Sequence, residues 1–138
     1  MANTLDKTDE RKMKLLEEMM LEKKVWAVVG ANDNPKKYGS MIYRKLKSRG
    51  YRVYPVNPNY EAIEGDKCYP NLSALPEVPE VVDMVVSPRI GYQVIEEAGR
   101  LGIKYIWLQP GTYDDKLMKI VENEDMTAVQ ACVLVALH

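Results

Sequence analysis

With 138 residues, 46% of them apolar and 28% charged, the chain has room for one domain with its own core and no need of disulfides or metals. A net charge of −1 gives no global reason to expect nucleic-acid binding, two cysteines make no secreted disulfide framework, and a lone histidine, His138, leaves a zinc site short of ligands. The N-terminus lacks the order of a signal peptide and no apolar run reaches membrane-spanning length, so a cytoplasmic protein with reduced thiols is expected.

Residues 1 to 7 are polar and expected to fray. From Thr8 or Asp9, either of which suits a helix cap, Met13, Leu16 and Met20 recur at helical spacing with Glu and Lys between them. This predicts an amphipathic helix to about Lys23 and sets residues 1–24 apart from a domain at 25–138. Val25 to Val29 is a short apolar run closed by Gly30, as in a buried parallel strand. A helix from Tyr38 to Arg49 ends at Gly50, and a second strand from Tyr51 to Val56 ends at Asn57-Pro58-Asn59. Residues 60–79 read as irregular, with short strands near Ile63 and Cys68 and a helical turn around Leu72 to Leu75.

A third buried strand spans Val81 to Val86, and Ser87-Pro88 leads into a helix from Arg89 to Leu101 closed by Gly102. Lys104 to Leu108 gives a further strand, Tyr113 to Asn123 the next helix, and Thr127 to Leu137 a final strand. Strands alternating with helices predict an α/β fold, a Rossmann-like open parallel sheet covered on both faces.

In such a sheet ligands bind beyond the carboxyl ends of the strands. Four of those ends, Gly30-Ala31-Asn32, Val56-Asn57-Pro58, Val86-Ser87-Pro88 and Leu108-Gln109-Pro110-Gly111, are rich in Gly, Pro and small polar residues. One turn of this kind serves merely to reverse the chain; four together, with lysines nearby, point to a ligand cleft.

The stretch "VVGANDNPKKYGS" from Val28 to Ser40 fits neither familiar phosphate loop. A nucleoside triphosphatase loop would need glycine at Pro35, and the GxGxxG dinucleotide turn would need it at Asn32 and Pro35. The acidic residue that holds a dinucleotide ribose is also missing, its place taken by Asn57-Pro58. What remains is a longer loop between Gly30 and Gly39, with its helix starting near Tyr38. Helix amides there suit a pyrophosphate, and Lys36 and Lys37 can supply countercharge, although loop lysines are more commonly just solvated.

The phrases "VVGANDNPKKYGS", "GYRVYPVNPNYEAIEGDKCYPNLSALPEVPEVVDMVV" and "IKYIWLQPGTYDD" resemble the small stand-alone YccU-like coenzyme A-binding proteins. More distantly they resemble the CoA-binding domain of succinyl-CoA ligase alpha subunits and ADP-forming acyl-CoA synthetases. The resemblance runs from about Val25 to Ala136. It implies a CoA or acyl-CoA ligand with the diphosphate at Gly30, Ala31 and Asn32, served by Lys36 and Lys37 near Tyr38 and Gly39. Val56, Asn57 and Pro58 would wall the adenine or its ribose; Val86, Ser87 and Pro88 would line the next strand end, and Leu108 and Gln109 the inner cleft. Arg89, just after its strand, is positioned to approach a phosphate. CoA carries a ribose 3′-phosphate, so the absence of an acidic residue at Asn57-Pro58 suits it.

No acid/base or nucleophile set stands out. Asp114-Asp115 reads as helix capping, Glu96-Glu97 as a solvated helix face, Asp83 as a buried carboxyl with a structural hydrogen bond, and Cys132 as an inert residue in an apolar run, although relatives often carry a cysteine there. The expected function is non-catalytic CoA binding, with a second copy or a separate subunit as the implied partner. Two alternatives stand beside it. One is a small NAD(P)-dependent oxidoreductase, for which Asn57→Asp should improve NAD binding. The other is one subunit of an ADP-forming acyl-CoA synthetase completed by a separate chain.

Overall fold

The computed structural model describes the backbone of residues 2–138 and the side chains of residues 9–138. Helix α1 (Ala2–Leu21) begins upstream of Thr8 and Asp9, so neither caps it. The expected fraying at residues 2–7 is replaced by helix; Met1 and the Thr8 side chain lie outside the described residues. The remaining main elements are β1 (Val25–Val29), α2 (Tyr38–Ser48), β2 (Arg52–Val56), the two-residue strands β3 (Ala62–Ile63) and β4 (Asp66–Lys67), a 3-10 turn at Leu72–Ala74, β5 (Val81–Met84), α3 (Pro88–Arg100), β6 (Tyr105–Leu108), α4 (Asp115–Asn123), β7 (Thr127–Gln130) and α5 (Val133–Ala136).

Five strands form one parallel sheet in the order β2-β1-β5-β6-β7, and β3 pairs antiparallel with β4. This is a Rossmann-like α/β fold. Side-chain alternation splits the core by face. Ala27, Val29, Val82, Met84, Ile106 and Leu108 pack with Ile95, Ala98, Leu117 and Val121 of α3 and α4. On the opposite face Trp26, Val28, Trp107 and Val129 pack with Ile42, Tyr43 and Leu46 of α2, Met20 of α1 and Val133 of α5.

The expected final strand is the main departure. The chain leaves the sheet at Gln130, and Val133–Ala136 turns into helix. The cause lies at the end of β6: the Gln109 side-chain carbonyl accepts the Val133 N–H at 3.1 Å, and Ala131 N–H reaches the Leu108 carbonyl. A buried carboxamide thus ends the strand pattern that the valines suggest.

Candidate functional site

From β1 the chain passes outward to β2, then returns to the other side of β1 as β5, so the strand order reverses between β1 and β5. The crevice outside the carboxyl ends of these two strands is where a ligand site belongs in an open α/β sheet. Gly30 follows β1, and Val85-Val86 follows β5.

Gly30 adopts a positive φ of 98°, and a Cβ on it would lie 2.6 Å from the Val85 carbonyl oxygen. A Cβ on Gly39 would collide with the carbonyl oxygen of Gly30. The two glycines therefore let the first turn of α2 sit directly on the end of β1. This answers the odd spacing of the loop: the eight residues between Gly30 and Gly39 leave and return to one point, where glycine is needed on both sides.

The intervening loop is held by carboxamides. Asn32 Oδ1 accepts the Asn34 N–H at 2.8 Å and the Tyr60 hydroxyl at 3.2 Å, and Asn34 Oδ1 accepts the Lys36 N–H. Asn57 donates Nδ2–H to the Ala31 carbonyl at 2.8 Å, while its Oδ1 accepts the Asn59 N–H. An aspartate at 57 would lose the donor that ties β2 to this loop.

Two clefts meet at the crevice and share Gly30 and Val86. The first, about 480 Å³, is lined by Asn32, Lys37, Tyr38, Gly39, Ser87 and Gln109 together with Ile42, Val85, Thr112 and Cys132. The second, about 430 Å³, is lined by Val56, Asn57 and Pro58 together with Asn71, Gln93, Glu97 and Arg100. Each lies in the size range of small-molecule pockets. Gly30 and Val86 form the saddle between them.

Several expected site residues line neither cleft. Ala31 and Leu108 are fully buried; Leu108 is part of the core under α3 and α4. Lys36, Pro88 and Arg89 lie outside both linings: Lys36 is exposed on the loop, and α3 brings Ile90, not Arg89, to the second cleft. Gln109 reaches the first cleft while holding the start of α5.

The α3 wall of the second cleft is not among the residues expected from the sequence, although Ile90, Gln93, Val94, Glu97 and Arg100 follow the spacing of one helix face. Glu97 does not lie on a purely solvated face: its carboxylate accepts the N–H groups of Leu72 and Ser73 and the Ser73 hydroxyl. Cys132 is half-buried and lines the first cleft, so it is not sealed in the apolar run. Asp83 has no hydrogen-bond partner at either oxygen, contrary to expectation. Burial, and secondarily Cys132, pushes its carboxyl well above the usual carboxylate range.

The helix ends at the crevice share one property. The N-caps of α2 (Lys37) and α3 (Ser87) carry no side-chain cap bond. Other helix starts are served by side chains: Asp114 accepts the Leu117 N–H at 2.8 Å, as its sequence position implied, Asn71 accepts the Ala74 N–H at 2.9 Å, and at α5, whose N-cap Cys132 makes no side-chain bond, the Gln109 side-chain carbonyl accepts the Val133 N–H. Two helices with unclaimed N-terminal amides thus open at the saddle, next to Lys37, an arrangement chemically suited to an anion.

A CoA binding domain profile matches residues 24–138. An ADP-forming acetate–CoA ligase I from Archaeoglobus fulgidus is 34% identical over 87 residues, 63% of this chain and 13% of that protein. The alpha subunit of ADP-forming acetate–CoA ligase II from Pyrococcus furiosus is 35% identical over 79 residues, 56% of this chain and 17% of that protein. The chain therefore spans less than a fifth of these two curated relatives. A conserved hypothetical protein from Pyrococcus furiosus superposes with a TM-score of 0.77 at 40% identity, covering 82% of this chain and 98% of that one. With a matched profile over most of its length, the chain belongs to the CoA binding domain family.

Proposed function

We propose that the chain binds coenzyme A or an acyl-CoA without transforming it, with the diphosphate at the saddle of Gly30 and Val86. The observation that carries this reading is the pair of uncapped N-termini, α2 and α3, opening at the point where the two clefts meet. A ligand with a central dianion and two dissimilar arms matches that layout. The carboxamides of Asn59 and Gln93 and the amide nitrogen of Asn71 suit a base and ribose in the second cleft. Ile42, Val85 and Cys132 suit a less polar arm in the first. Neither lining contains a histidine, and the carboxylate present, Glu97, is already engaged by the 3-10 turn.

Isothermal titration with CoA, dephospho-CoA, NAD and NADP tests the assignment. Heat for CoA with none for NAD is expected; no heat for CoA at high micromolar ligand overturns it, and NAD binding without CoA binding would favour the oxidoreductase alternative. Incubation with acetyl-CoA, followed by thiol release, should show no turnover.

A second reading, a CoA-binding subunit of an ADP-forming acyl-CoA synthetase, is favoured by the relatives in which the matched segment is a small part of a larger ligase. Co-purification of a nucleotide-binding subunit from extract would support it, and a chain that stays alone would count against it.

A further inference from the structure

Glu97 and Arg100 are the ionisable groups lining the second cleft, three residues apart on one face of α3, where an ion pair is the ordinary outcome. They do not pair. Glu97 turns instead to the opposite wall, accepting Leu72 N–H at 3.3 Å, Ser73 N–H at 3.2 Å and Ser73 O–H at 2.7 Å. Glu124, the C-cap of α4, lies against Gly99, yet it too makes no ion pair with Arg100. The ion pairs among the described residues involve Arg44, Lys47 and Arg52, so the Arg100 guanidinium has no carboxylate partner.

The cleft runs along α3 from Ile90 to Arg100, about 15 Å of helix. Its upper end opens at the saddle, and its far end holds this uncompensated cation. On the facing wall the carbonyl oxygens of Asn57 and Asn71 are committed to Asn59 N–H and Ala74 N–H. A dianion entering here therefore meets one free fork of donors and no free carboxylate.

We propose that Arg100 recognises a phosphate carried on the ribose of the bound nucleotide, and so sets the specificity of the second cleft. The inference rests on the reading above, that this cleft takes the nucleoside end of CoA. Arg100 is exposed at the mouth of the cleft, and its guanidinium matches a phosphate dianion through paired charged donors, whereas a neutral ribose hydroxyl offers it a single weak acceptor in competition with water. Glu97 is a positioning residue: the 3-10 turn holds its carboxylate away from Arg100, which keeps the cation available. A 3′-phosphate, as in CoA, and a 2′-phosphate, as in NADP, offer the same chemistry.

The test is calorimetric titration of the full chain and of Arg100→Ala and Arg100→Lys with CoA, dephospho-CoA, NADP and NAD, with thermal melts to verify folding. Wild type should prefer CoA over dephospho-CoA by about tenfold or more. Arg100→Ala should abolish that preference while leaving dephospho-CoA affinity unchanged, and Arg100→Lys should restore part of it. A larger NADP-over-NAD ratio would assign the same role to a 2′-phosphate. Equal weakening of CoA and dephospho-CoA, or no effect on either, overturns the proposal. If wild type binds CoA and dephospho-CoA alike, this inference fails while the CoA reading stands. If it binds none of the four ligands, both fail together.

Discussion

At Gly39 a single missing methyl group decides how α2 meets the sheet, since a Cβ there would strike the Gly30 carbonyl, a backbone atom without a rotamer to move. Gly39→Ala should cost about 1–3 kcal/mol as the helix is pushed off β1. Urea denaturation measures that loss, and an unchanged midpoint would show that the contact is not needed. Asp83 makes the opposite demand on its surroundings. Its register partners are Val28 and Trp107, both apolar, and its oxygens find no donor. Because burial raises its folded pKa, the folded state keeps a proton that the unfolded chain releases near pH 4. The stabilising contribution of the neutral acid is complete below that pH and is lost as pH rises toward the folded pKa, with a slope of about 1.4 kcal/mol per pH unit. Asp83→Asn should flatten this part of the pH–stability curve and leave the protein more stable at neutral pH; equal slopes in mutant and wild type would place the proton elsewhere.

Helix ends divide into those closed for stability and those left open at the crevice. Asp114→Ala should cost about 1 kcal/mol by freeing the Leu117 amide, with CoA affinity unchanged, because α4 starts away from the clefts. Ser87→Asp should do the reverse. A carboxylate at that N-cap claims the amides of α3 and complements its dipole, so the melting temperature should rise. The same charge repels a bound diphosphate, and CoA affinity should fall by about tenfold or more. A variant that gained stability and kept full affinity would move the anion away from α3. Asn57 illustrates why a simple sequence-based swap misleads: Asn57→Asp, expected to invite NAD, removes the amide donor to Ala31 and would loosen the loop whichever nucleotide binds.

For the molecule as a whole, the order of strands and helices was legible because apolar runs of four or five residues ended at Gly or Pro on each crossing. Gly30, Lys37, Gly39, Asn57, Ser87 and Gln109 were legible as crevice residues because they follow strands or open helices. Partners distant along the chain were not legible. The α3 wall of the second cleft depends on Glu97 reaching a turn 24 residues upstream, and α5 depends on the Gln109 carboxamide. Nor does amphipathic spacing reveal what α1 packs against. The structure sets Met20 fully buried in the core with Trp26 and Trp107, and Tyr51 donates its hydroxyl to the Leu21 carbonyl. The methionine face of α1 is thereby tied to the sheet through the α2 side of the core, the side that also carries Ile42 into the first cleft. Met20→Ala should cost about 2–5 kcal/mol, as large-to-small changes at sealed core sites do. Because Trp26 and Trp107 share this core with Met20, fluorescence-monitored urea unfolding should report the loss directly. If the midpoint stays within error of wild type, α1 contributes no sealed contact and the sheet is stable without it.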